Sequence, residues 1–109
     1  MKVLSLFDGI SCGMLALQRA GIPVECYDAF EIDKYAVTVS KRNFPVIVHH
    51  GNVYDGDFTQ FQGYDLLLGG SPCTYWSIAK KDREVDCNGE GFRLFKEYVR
   101  ALEESGCKY

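Results

Sequence analysis

The sequence predicts an α/β domain, with a mainly parallel sheet and helices on its faces. Three observations lead there. Short apolar runs of strand length alternate with segments of helical periodicity along the chain. The first run ends in a glycine turn, Phe7-Asp8-Gly9-Ile10-Ser11-Cys12-Gly13, that opens directly into a helical segment. A later run, Leu66-Leu67-Leu68, is apolar at every position and reads as a buried strand.

The elements follow in order. Val3 to Phe7 is the first strand. Cys12 to Ala20 is an amphipathic helix carrying Met14, Leu15 and Leu17, and it is stopped by Gly21 and Pro23. Val24 to Phe30 is the second strand. Asp33 suits the cap of a second helix, because its carboxylate can accept from the free amides of the first turn. That helix runs to about Asn43, with Ala36, Val37, Val39 and Ser40 expected to face inward. Val46 to Val48 is a short third strand behind Pro45, and Asp65 to Leu68 a fourth. From Lys80 to Gly91 the chain is polar and reads as a long mobile loop. Arg93 to Ser105 is a last helix, with Leu94, Phe95, Tyr98, Val99 and Leu102 at helical spacing and Gly106 as its cap.

At 109 residues, one domain is the natural reading. Hydrophobic residues at 47% and charged residues at 25% are ordinary for a water-exposed globular chain. No run approaches the ~20 apolar residues that span a bilayer, so no membrane role is expected. The start, broken early by Asp8, does not read as a signal peptide. The formal charge of -3 does not advertise nucleic acid, although Lys80, Lys81, Arg83, Arg93 and Arg100 gather in the last third. Five cysteines without a Cys-x-x-Cys pair read as free thiols in a reducing cytoplasm. The adjacent His49 and His50 lack a second ligand cluster, so they read as a solvated strand end and no metal is expected.

In open α/β sheets, ligands sit beyond the carboxyl ends of the strands. Gly9 and Gly13 would let a ligand approach the first turn closely. Glu31 closes the second strand, where an acid typically accepts from a ribose diol. Asp8 puts a carboxylate inside the glycine turn, where it would repel the pyrophosphate of NAD and suit a nucleoside carrying a positive group, such as S-adenosylmethionine. The other reading of Asp8 is a helix-end carboxylate satisfying amides. Asn52, in Gly51-Asn52-Val53, is either an acceptor for an adenine amino group or simply a turn residue.

In Gly69-Gly70-Ser71-Pro72-Cys73 the glycines permit a tight exit from the fourth strand, and Pro72 stiffens the chain just before Cys73. Cys73 is either a small buried hydrophobe or a nucleophile held at the cofactor edge. At these residues the sequence resembles the DNA (cytosine-5)-methyltransferases, particularly the phage and bacterial relatives of the animal de novo enzymes. The resemblance is carried, in order, by VLSLFDGISCGMLALQRAGI, FEIDKYA, GNV, DLLLGGSPCTYWSIA and RLF.

The resemblance implies a Rossmann-like S-adenosylmethionine-dependent fold, here with four strands in the order 3-2-1-4. It implies cofactor contacts from Phe7, Asp8, Gly9, Ile10, Cys12, Gly13, Glu31, Ile32, Asn52, Val53, Pro72 and Leu94. Asn52 stands where the family usually has Asp. Cys73 would be the nucleophile. Lys80, Lys81 and Arg83 would meet DNA phosphates, unless they are only a solvated charged loop. The chemistry suits the residue type. A thiolate adding to carbon 6 of cytosine makes carbon 5 enamine-like and able to take a methyl group, and the thiolate also leaves readily.

The resemblance places residues 1–109 in the cofactor-binding, nucleophile-bearing part of a longer catalytic domain. A Glu-Asn-Val strand, a target-recognition domain and a C-terminal segment would lie beyond Tyr109. The chain alone is therefore expected to be inactive, and strand 65–68 is expected to be a bare edge that pairs with a second copy or a complementing half. The expected setting is the cytoplasm of a bacterium, including a phage-infected one. Two alternatives remain open: a non-catalytic S-adenosylmethionine-binding or protein-interaction module, and a nicotinamide enzyme, against which Asp8 counts.

Overall fold

A computed structural model of the chain describes residues 1–72 and 89–109. Four strands form one sheet in the order β3-β2-β1-β4: β1 Lys2–Leu6, β2 Cys26–Phe30, β3 Val48–His49 and β4 Leu66–Gly69. All the pairings are parallel, with Leu4 opposite both Asp28 and Leu67. The helices are α1 Cys12–Arg19, α2 Lys34–Asn43 and α3 Glu90–Ser105. Two short 3-10 turns, Val53–Asp55 and Phe58–Phe61, lie between β3 and β4.

Alternation along the strands explains the two cores. Leu4, Leu6, Phe30 and Leu67 face the 3-10 turns and α3, where they pack with Phe58, Phe61 and Ala101. Val3, Tyr27 and Ala29 face the other way and pack with Met14, Leu17 and Ile47. The sheet is covered on both sides, which is why Leu66-Leu67-Leu68 needs no polar position. Helices change face where the strand order reverses, between β1 and β4, and that reversal opens a crevice at the carboxyl ends of the strands.

The elements depart from the sequence expectation in specific places. β3 starts at Val48, not Val46, because Ile47 N–H is turned back onto the Phe44 carbonyl (3.1 Å) and Val46 is 71% exposed. α2 buries Ser40, whereas Val39 faces outward. α3 begins three residues early, at Glu90 behind Gly89, so Glu90 and Gly91 are helical rather than loop. On α3, Leu94, Tyr98 and Ala101 face the core, while Phe95, Val99 and Leu102 are exposed. Residues 80–88 of the expected loop, with Lys80, Lys81 and Arg83, lie outside the described residues, as does Cys73.

β4 is an edge strand of the sheet, as expected, but the expectation that its edge is bare is corrected in part. Tyr109 N–H donates to the Asp65 carbonyl (3.0 Å), and Leu67 N–H donates to the Tyr109 carbonyl (2.9 Å). This is a parallel pairing step on the side of β4 away from β1. Gly106, in the left-handed conformation at the end of α3, turns the chain back toward it (φ 63°).

Candidate functional site

The crevice at the strand ends is a cleft of about 250 Å³. Phe7, after β1, and Phe30, Glu31 and Ile32, at the end of β2 and just beyond it, form one side. Gly51, Asn52, Val53 and Tyr54 form a second, and Pro72, Glu90 and Leu94 close the third. Of the twelve residues expected to contact a cofactor, Phe7, Glu31, Ile32, Asn52, Val53, Pro72 and Leu94 thus line one cleft. Ile10 and Cys12 instead line a separate shallow groove with Leu15 and Phe44.

The turn between β1 and α1 is held under strain. Phe7 (φ 55°) and Ser11 (φ 71°) both adopt the left-handed conformation, on either side of Gly9. Each non-glycine residue there costs about 1–2 kcal/mol. Asp8 supplies the counterweight. Its Oδ1 accepts from Ser5 Oγ and from Tyr27 Oη, both at 2.6 Å, and its Oδ2 accepts from Ser11 Oγ. Burial and the neighbouring Asp8 together raise the Tyr27 hydroxyl pKa well above the usual phenol value, so that hydroxyl stays a donor. The carboxylate is therefore spent on hydroxyls, neither on amides nor on the cleft, and Asp8 is not among the lining residues. Gly13 is likewise a packing residue: a Cβ there would sit 2.8 Å from Leu68 and 2.9 Å from the Tyr27 hydroxyl. Gly9 stands next to the cleft through its amide, which donates to Glu31 Oε1 (2.8 Å).

Glu31 ends β2 with its carboxylate on the cleft wall. Besides Gly9, it accepts from the amides of Ile32 (2.9 Å) and Asp33 (3.0 Å). Asp33 caps α2 as expected, accepting from Tyr35 and Ala36 N–H. Asn52 does the same for the first 3-10 turn, its Oδ1 accepting from Tyr54 N–H (3.0 Å). Tyr54 Oη donates to Glu90 Oε1 (2.7 Å), linking that turn to the start of α3. Burial, then the Glu90 bond, push the Tyr54 pKa up to about 12.

Three supports carried no sequence signal. Arg100, which had counted only as part of a basic cluster, donates to the carbonyls of Val53 (3.0 Å) and Gly56 (2.8 Å) and lies over the Phe58 ring. It thereby fixes the turn bearing Asn52 and Val53. His50 is not simply a solvated strand end: its ring stacks on Phe30 at 5.0 Å, and its Nε2 pairs with the buried Asp28 (2.7 Å), which also accepts from Tyr64 Oη. Third, Gly69 does more than let the chain turn, because a Cβ there would lie 2.4 Å from the Tyr98 ring. Such contacts join residues far apart in sequence, so no local pattern announces them.

The family model of C-5 cytosine-specific DNA methylases matches residues 1–109. The chain belongs to that family. Its relatives include the orphan methyltransferase M.SPRI of Bacillus phage SPR, 37% identical over all of this chain and 25% of the phage protein. The DNA (cytosine-5)-methyltransferase DRM2 of Arabidopsis thaliana is 33% identical over 94% of this chain and 18% of its own length. The methylase-family chain thus spans a quarter or less of these curated relatives. Among solved structures, the S. pombe Dnmt2 methyltransferase covers 94% of the chain with a TM-score of 0.65 at 18% identity, a likeness of fold.

Proposed function

We propose that the cleft holds S-adenosylmethionine and that Cys73 is the nucleophile of a DNA cytosine-5 methyltransferase, of which residues 1–109 form the cofactor-binding part. The observation that carries this reading is the Glu31 carboxylate, set on the wall of a cleft with largely apolar sides. A carboxylate offers about four acceptor positions, of which three are taken by amides. One is open to a ribose hydroxyl. A second opens if the exposed bond to Ile32 or Asp33 is released. Ile32, 72% exposed at the cleft mouth, and Leu94 offer apolar surface to a purine. Asn52 Oδ1 keeps a second lone pair for an amino group.

Bound there, S-adenosylmethionine would supply an electrophilic methyl group on a positively charged sulfur. Cys73 directly follows Pro72, a residue of the cleft lining. Its thiolate adds to carbon 6 of a cytosine drawn out of the DNA stack, and carbon 5 gains the electron density to take the methyl group. Loss of the carbon 5 proton and departure of the thiolate then restore the ring. Lys80, Lys81 and Arg83 would hold DNA phosphates.

Calorimetry with S-adenosylmethionine tests the cofactor half. Binding is expected, with NAD unable to compete, and Glu31→Gln should weaken it about tenfold through loss of charge-assisted bonds. With a complementing polypeptide supplied, DNA containing 5-fluorocytosine should trap an adduct that Cys73→Ser abolishes. An adduct that survives that substitution removes Cys73 from the mechanism, and cofactor binding without any adduct favours a non-catalytic module.

A further inference from the structure

Ser11 and Ser40 are both fully buried, and their hydroxyls meet at 2.5 Å. Buried hydroxyls have to spend their protons on an acceptor. Ser11 donates to Asp8, since a carboxylate can only accept. Its oxygen must then receive the Ser40 proton. The Ser40 oxygen is left as an acceptor, and His49 Nε2 stands 3.4 Å from it, a donor when that nitrogen carries the ring proton. Bond by bond, the direction is set from His49 at the edge strand, through α2, to the strained turn beside the cleft.

We propose that His49, Ser40 and Ser11 form an oriented hydrogen-bond relay that ends on Asp8 and holds the cofactor turn in its left-handed form. The relay requires His49 to be the neutral tautomer with its proton on Nε2. A second observation bears on the ring: His49 Nδ1 is buried without a hydrogen-bond partner, which disfavours the doubly protonated form, with its extra N–H and its charge. The surroundings do so as well. Burial opposes protonation of His49 first, followed by Lys41 and His50, while Asp8 favours it. Ser11 stands at the N-cap of α1, yet its side chain makes no capping bond, being committed to the relay. His49, Ser40 and Ser11 are positioning residues, acting on the cleft through Asp8, Phe7 and the Gly9–Glu31 bond.

The inference rests on the proposed cofactor cleft, and its test separates the two. Ring nitrogen shifts of His49 should show the Nε2–H tautomer, and the Gly9 amide should be protected from exchange. Glutamine can place a donor where Nε2 stands, and asparagine cannot. S-adenosylhomocysteine affinity should therefore stay within about threefold in His49→Gln, and fall about tenfold in His49→Asn and Ser40→Ala, as for one lost hydrogen bond. Gly9 exchange should quicken in the latter two only. An Nδ1–H tautomer, or unchanged Gly9 protection in Ser40→Ala, overturns the relay. If the wild-type chain binds no S-adenosylhomocysteine while tautomer and exchange behave as stated, the cofactor reading fails and the relay stands.

Discussion

The Asp8 carboxylate accepts from hydroxyls on β1, on β2 and at the head of α1. Replacing it by alanine strands the Tyr27 hydroxyl in the core and frees two left-handed residues to relax. Asp8→Ala should cost about 3 kcal/mol, the scale of an unsatisfied buried group plus a lost charged acceptor, measured by urea unfolding. His49 carries a pH consequence. Burial first, and then Lys41, hold its pKa below the ordinary value. The unfolded chain therefore takes up the proton more readily, starting near a pH of about 6.5. This contribution to stability is intact above that pH. It is lost progressively as pH falls from there toward the folded pKa, with Asp8 partly opposing the loss. His49→Gln should flatten that part of the stability profile.

At the scale of elements, α3 is seated by what β4 lacks. Tyr98 rests on the bare backbone of Gly69, so Gly69→Ala should destabilise by about 2 kcal/mol through overpacking. In a Tyr98→Ala background that cost should vanish. A double-mutant cycle by thermal unfolding that shows simple additivity would sink the account. The Asp33 cap, the ends of α1 and the alternation of strand and helix were all legible in the sequence, because each rests on residues a few positions apart. The start of β3, the inner face of α2 and the two 3-10 turns were not. Their placement depends on Ile47, Phe58 and Phe61 finding a core assembled from distant strands.

For the whole molecule, the outer edge of β4 is partly occupied from within. Tyr109 supplies both a donor and an acceptor to it. Association of two copies through residues 65–68 would have to compete with that pairing. Tyr109→Pro removes the donating N–H, and sedimentation should then show more self-association than in the wild-type chain. Equal behaviour of the two would mean that the Tyr109 pairing does not guard the edge.

The sequence by itself determined the parallel α/β architecture and, through its motifs, the resemblance to a family, which in turn implied contacts from Phe7, Glu31, Asn52 and Leu94. Period, turn chemistry and motif spacing are local properties written directly in the residue order. Only the tertiary structure decided what Asp8 does. In sequence it is an acid in a glycine turn, equally suited to a cation or to helix amides. Folding surrounds it with Ser5, Ser11 and Tyr27, and a half-buried carboxylate takes the donors it is given. The same holds for the bonds from Arg100 to the Val53 and Gly56 carbonyls and between His50 and Asp28, which span 22 or more residues and are brought within reach only by the folded chain.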